Sequence, residues 1–112
     1  MTPGLINLHI HIPANGKAPF KNGSTKKLVK LLTSSKIFDP IGIGLGKKYI
    51  KQDLRSGVTT LRAVGGVSYY DTRLRDKINA NKIEGPRLFV SNSAICPPTG
   101  HMEGTVSVPC KN

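Results

Sequence analysis

The chain has 112 residues, 38% hydrophobic and 5% aromatic, with no Trp and a formal net charge of +11. That suits a single domain with a modest core and is too apolar for a disordered chain. No apolar run nears the roughly 18 residues that cross a bilayer, and no basic stretch leading into an apolar run marks a signal peptide.

Residues 5–12 alternate, with Ile6, Leu8, Ile10 and Ile12 on one side and Asn7, His9 and His11 on the other. This is the period of a strand, and Pro13 ends it. A polar loop runs to about Gly23, after which Ser24 is suited to cap a short helix carrying Leu28, Leu31 and Leu32. The positive charge gathers here: Lys17, Lys21, Lys26, Lys27, Lys30, Lys36, Lys47, Lys48 and Lys51 face only Asp39 across that stretch. A basic footprint is the first mark of a nucleic-acid binder. The stretch has few stacking aromatics and almost no Arg, so solvated helix faces are the favoured reading and nucleic acid is not a favoured partner. Asn22-Gly23-Ser24 fits a glycosylation acceptor, relevant only to a secreted chain.

From Phe38 to Gly46, Pro40 and three glycines break the helical pattern. A second helical run then places Leu45, Tyr49, Ile50 and Leu54 at helical spacing, with Gly57 in the usual stop position. Val58 to Val64 is apolar and β-branched, a second strand, and Gly65-Gly66 turns out of it. Ser68 is suited to cap a third helix bearing Tyr70, Leu74 and Ile78. Gly85-Pro86 separates it from a third strand, Arg87 to Ser91, and the remainder from Ile95 reads as loop. Cys96 and Cys110 are too far apart for a zinc ribbon or redox pair and read as free thiols. Strand, helices, strand, helix, strand predicts a parallel α/β sheet. Alternation alone leaves an open doubly wound sheet and a closed eight-stranded barrel equally available.

His9-Ile10-His11 is the best chemical clue. Two histidines one residue apart on a strand share a face, close enough for both imidazoles to hold one ion such as Zn²⁺. The bland alternative, two polar residues at a strand end, carries comparable weight. Their place at the C-terminal end of the strand favours the functional reading, because barrel enzymes draw catalytic groups from there. Gly42-Ile43-Gly44-Leu45-Gly46-Lys47 is not a phosphate motif: Lys47 stands where a dinucleotide fingerprint needs Gly, and Lys48 where a Walker loop needs Ser or Thr.

Pro3-Gly4-Leu5-Ile6-Asn7-Leu8-His9-Ile10-His11 resembles the first-strand motif of the amidohydrolase superfamily. Ser56-Gly57-Val58-Thr59-Thr60-Leu61-Arg62 with Val64-Gly65-Gly66 resembles the second strand of its imidazolonepropionase-like and prolidase-like branch. Leu74-Arg75-Asp76, Ile78-Asn79-Ala80 and Gly85-Pro86-Arg87-Leu88 resemble the helix and third strand that follow, and Gly100-His101 the next loop. These matches are collinear and span nearly the whole chain.

The resemblance implies a partial (β/α)8 TIM barrel, its first three parallel strands with intervening helices, and makes residues 1–112 an N-terminal fragment of such a domain. It implies a hydrolase of carbon–nitrogen bonds (amide, peptide or cyclic amide) that works through a metal-activated water. His9 and His11 would be metal ligands, with His101 and Arg62 near the substrate; a solvated loop histidine and a structural ion pair are their plain alternatives. The cofactor would be a divalent metal, zinc first, one or two ions in the complete enzyme. The family's remaining ligands lie on later strands, so the chain alone is expected to be inactive and truncated at both ends. Its exposed strand edges are expected to favour self-association, and a cytoplasmic location is the default. Two departures stand out: Ala63 replaces the branch's usual Asp, which would add a carboxylate near the barrel mouth, and Cys96-Pro97-Pro98 is irregular for the third-strand loop. The rivals are a basic nucleic-acid-binding module and an inactive α/β remnant.

Overall fold

The computed structural model describes residues 1–14, 35–100 and 107–110. The Ser24-capped helix, the glycosylation triplet, His101 and the lysines from Lys17 to Lys30 lie outside these residues. The described elements are β1 (Leu5–Ile12), a 3-10 turn (Lys36–Phe38), α1 (Asp39–Arg55), β2 (Val58–Gly66), α2 (Tyr70–Asn79), β3 (Arg87–Phe89), β4 (Ala94–Cys96) and β5 (Ser107–Pro109). The first three strands form one parallel sheet in the order β1-β2-β3, with helices between strands. This is the α/β arrangement expected of a partial barrel.

Helix α1 begins much earlier than its sequence suggests, and the reason lies in packing. Ser35 Oγ accepts the Ile37 N–H at 3.3 Å to start the 3-10 turn. Asp39 and Pro40 then fill the first helical positions, where an acid suits the dipole and a missing N–H costs nothing. The glycines do not break the helix; two of them let it approach its neighbours. A Cβ on Gly42 would lie 2.4 Å from Tyr70 Cε2, and one on Gly46 would lie 2.6 Å from Leu74 Cδ1 and 3.0 Å from Ile12 Cγ2. The buried stripe is therefore Gly42, Ile43, Gly46 and Ile50, while Leu45, Tyr49 and Leu54 are only half-buried. The expected stop holds: Gly57 has φ +95, and its N–H donates to Leu54 O at 3.1 Å.

Helix α2 buries Tyr70 and Leu74 as its spacing predicts, with Ile78 half-buried. Ser68 is not its cap. Ser68 and Tyr69 both take left-handed backbone (φ 51 and 56), and no side chain caps the helix from the N-cap position. Tyr70 OH donates to Asp39 Oδ1 at 3.3 Å, and Arg73 pairs with Asp39 Oδ2 at 2.6 Å, tying the two helix starts together. Burial, then the Asp39 charge, pushes the Tyr70 phenol above its ordinary value.

Leu61, Ala63 and Leu88 face the helices and are buried, whereas Arg62 and its register partner Phe89 are exposed on the opposite face. Ala63 is thus a core position, 1% exposed, and not a place from which a carboxylate would reach the barrel mouth. Strand β1 is an edge strand and largely exposed: Ile12 is buried and Ile10 packs against the core, but Ile6 and Leu8 are 63% and 58% exposed. Between Asn7 and Ile10 the β1–β2 register shifts, which interrupts the simple alternation. Strand β3 is shorter than expected. The segment expected to be loop includes a small parallel pair, β4 with β5, too short to show a period in sequence. Cys96 and Cys110 are free thiols.

The glycines give a sharp stability test. Gly42→Ala should destabilise by roughly 1–3 kcal/mol through overlap with Tyr70, despite alanine's better helix propensity. At Gly44 a Cβ meets nothing within 4 Å, so Gly44→Ala should stabilise by about 0.5–1 kcal/mol. Urea denaturation of both variants checks the opposite signs.

Candidate metal centre

Strand β1 brings His9 and His11 together on its open side. Ile10 and Ile12 point into the core, so the period of two sends the histidines the other way. Their Nε2 atoms lie 3.2 Å apart, and the rings meet edge to face with centroids separated by 5.1 Å. Both side chains are exposed, and the Asn7 side-chain oxygen accepts the His9 backbone N–H at 3.1 Å. The shared face is as expected, but the strand that carries it is a largely exposed edge strand rather than a buried one.

The tautomer of His11 follows from its neighbour. His11 Nδ1 lies 3.0 Å from the carbonyl oxygen of Gly65 on β2. A carbonyl only accepts, so Nδ1 carries the proton and Nε2 keeps its lone pair. This is the outer contact that orients metal-binding histidines in general. With His11 Nε2 as acceptor, His9 Nε2–H is the donor across the pair, and a proton on His9 Nδ1 instead would free the second lone pair. Two Zn–N bonds of about 2.0–2.1 Å at a tetrahedral angle put their nitrogens about 3.3 Å apart. The observed 3.2 Å therefore suits one shared ion, and the donor chemistry fits zinc.

A cavity of about 310 Å3 runs along this edge, lined by Asn7, His9, His11, Tyr49, Gln52 and Asp53 among others. Burial pushes the Asp53 carboxyl above its ordinary value. Among the described residues, no three His, Cys, Asp or Glu side chains cluster closely enough to hold an ion. Arg62 makes no ion pair among the described residues; its Nε donates to the Leu8 carbonyl at 2.9 Å. That bond falls inside the β1 register shift, so Arg62 serves a carbonyl in the irregular part of the ladder.

Two contributors escaped the sequence reading. Gly65 acts through its backbone carbonyl, which no side-chain pattern reveals. Asp71, fully buried, did leave a signal as the fourth residue of Ser68-Tyr69-Tyr70-Asp71, a run with capping-box spacing. The acid turned out to matter more than the serine.

No family model matches the chain, and no curated protein does either. Solved structures do. A candidate prolidase from Bifidobacterium longum aligns over 96% of this chain and 20% of its own length, at 29% identity and a TM-score of 0.64. A crystallised amidohydrolase aligns over 88% and 20%, at 28% identity and 0.63. A Xaa-Pro dipeptidase crystallised with methionine in its active site aligns over 92% and 23%, at 27% identity and 0.64. The chain spans about a fifth of the length of these proteins. Together with its parallel β1-β2-β3 sheet, this similarity identifies the chain as amidohydrolase-like in fold.

Proposed function

We propose that the chain supplies the first two metal ligands, His9 and His11, of a metal-dependent hydrolase that cleaves carbon–nitrogen bonds in peptides or amides. The observation that carries this reading is the convergence of two imidazole Nε2 atoms at 3.2 Å, one of them fixed in tautomer by Gly65. The prolidase, dipeptidase and amidohydrolase neighbours support the same chemistry and favour a dipeptide substrate.

When bound, a divalent ion, zinc in the first instance, supplies an acidified water and polarises the scissile carbonyl. The chain's own residues prepare for it. His11 presents Nε2 because Gly65 holds its other nitrogen. His9 presents Nε2 from the same face, with its backbone anchored by Asn7. Arg62, exposed and bound to the Leu8 carbonyl through Nε, offers its terminal amino groups to a substrate carboxylate. His101 is a second candidate for substrate contact. Two imidazoles leave a catalytic zinc site at least one protein ligand short, so the chain alone is proposed to be inactive.

Zinc titration of the isolated chain by calorimetry should show weak one-to-one binding that is insensitive to moderate salt. Either His9→Ala or His11→Ala should weaken it at least tenfold, on the order seen when metal-site contacts are lost. Binding that depends on the lysines and falls steeply with salt would instead mark a phosphate-binding surface. The activity is tested by grafting residues 1–112 in place of the corresponding segment of the Bifidobacterium longum protein. The chimera should hydrolyse dipeptides in a metal-dependent way and lose about 100-fold or more in rate with His11→Ala. A folded, metal-loaded chimera with no dipeptide or lactam hydrolysis would contradict the proposed reaction.

A further inference from the structure

Asp71 is the one charged side chain in the buried set of the described residues. A buried carboxylate is costly unless its oxygens are hydrogen-bonded, and both of these are. Oδ1 accepts the Thr72 N–H at 2.8 Å, and Oδ2 accepts the Asn92 N–H at 2.9 Å. The Thr72 hydroxyl also donates to the Asn92 side-chain oxygen. Asn92 is thereby clamped at φ 60, in left-handed backbone, just beyond β3. Its carbonyl accepts the Gly66 N–H at 2.5 Å. That N–H belongs to the same peptide unit as the Gly65 carbonyl, which accepts His11 Nδ1–H at 3.0 Å.

We propose that Asp71 is a positioning residue for His11, acting through the Asn92 backbone and the Gly65–Gly66 peptide to hold the imidazole with Nε2 presented toward His9.

The mechanics follow from the covalent geometry. A peptide unit is planar, so fixing the direction of its N–H fixes the direction of its C=O. Adjacent glycines have no side chains to bias that plane, and Gly65, at φ +156, sits where other residues rarely go. A Cβ there would lie at ordinary contact distance, 3.4 Å, from both His11 Nδ1 and Ala94 Cβ, so the backbone angle rather than a lack of space favours glycine. The absence of side chains leaves the peptide free to turn unless something outside holds it. Asn92 O is that hold, and Asp71 is what keeps Asn92 in place. The carboxylate needs two acceptor oxygens for two N–H groups. An amide at position 71 has only one acceptor, so one of the two N–H groups loses its partner.

The functional meaning of this relay rests on His11 being a metal ligand, but the relay itself is tested without metal. The imidazole ¹⁵N NMR spectrum of the chain is recorded at mildly alkaline pH. In the unchanged chain His11 should be dominated by the Nδ1–H tautomer. In Asp71→Asn, with the fold retained by circular dichroism, His11 should move to the mixed tautomers of a free ring, and Zn²⁺ affinity should fall about tenfold. A folded Asp71→Asn chain whose His11 stays in the Nδ1–H form would overturn the proposal. Should that variant not fold, scalar couplings across hydrogen bonds in the unchanged chain decide. Couplings from the Asn92 amide to the Asp71 carboxylate and from the Gly66 amide to the Asn92 carbonyl support the relay, and their absence overturns it. A tautomer change in a chain that binds no Zn²⁺ at His9 and His11 would keep the relay and defeat the metal reading.

Discussion

The close seating of α1 against Tyr70, Leu74 and Ile12, made possible by bare backbone at Gly42 and Gly46, is the contact on which the rest of the structure depends. It lets both helices cover one face of the β1-β2-β3 sheet, and it commits Ile10, Ile12, Leu61, Ala63 and Leu88 to that face. Once those residues are committed, the period of two sends His9, His11 and Arg62 to the uncovered side. Packing on one face thus determines the chemistry available on the other. The same division explains the exposure of Arg62 and Phe89, which occupy neighbouring register positions away from the helices.

Parallel strands bring their C-terminal ends to one side of a sheet, where the chain must leave each strand for a helix or loop. Here those exits are joined to one another. The end of β1 contributes His11, the end of β2 contributes the Gly65–Gly66 peptide, and the segment beyond β3 contributes Asn92. Asp71, in the first turn of α2, locks the last of these. A single line of hydrogen bonds therefore crosses all three strands at the edge where the histidines stand. In metal sites generally, precision comes from surrounding bonds that restrict each ligand's freedom.

Much of this was legible in the residues. The alternation of residues 5–12 and the β-branched run from Val58 revealed β1 and β2, and the His-x-His spacing revealed a shared face. The start of α1 was not legible, because Pro40 and three glycines oppose a helix by propensity. Their compatibility depends on Tyr70 and Leu74, distant in sequence and adjacent only after folding. Ile6 and Leu8 look like core from their period, yet a register shift leaves them exposed. The sequence leaves Arg62 open between a substrate contact and a structural ion pair, and its described partner is a backbone carbonyl. A carbonyl such as Gly65 O carries no side-chain signature, so the tautomer of His11 could be read only from the fold.

His9 and His11 are proposed to act together as ligands of one ion, and X-ray absorption at the zinc edge of the zinc-loaded chain tests this. A shared site gives a shell containing two imidazole nitrogens at about 2.0–2.1 Å, reduced to one in His9→Ala and in His11→Ala alike. A shell without imidazole scattering, or one unchanged by either substitution, would contradict it.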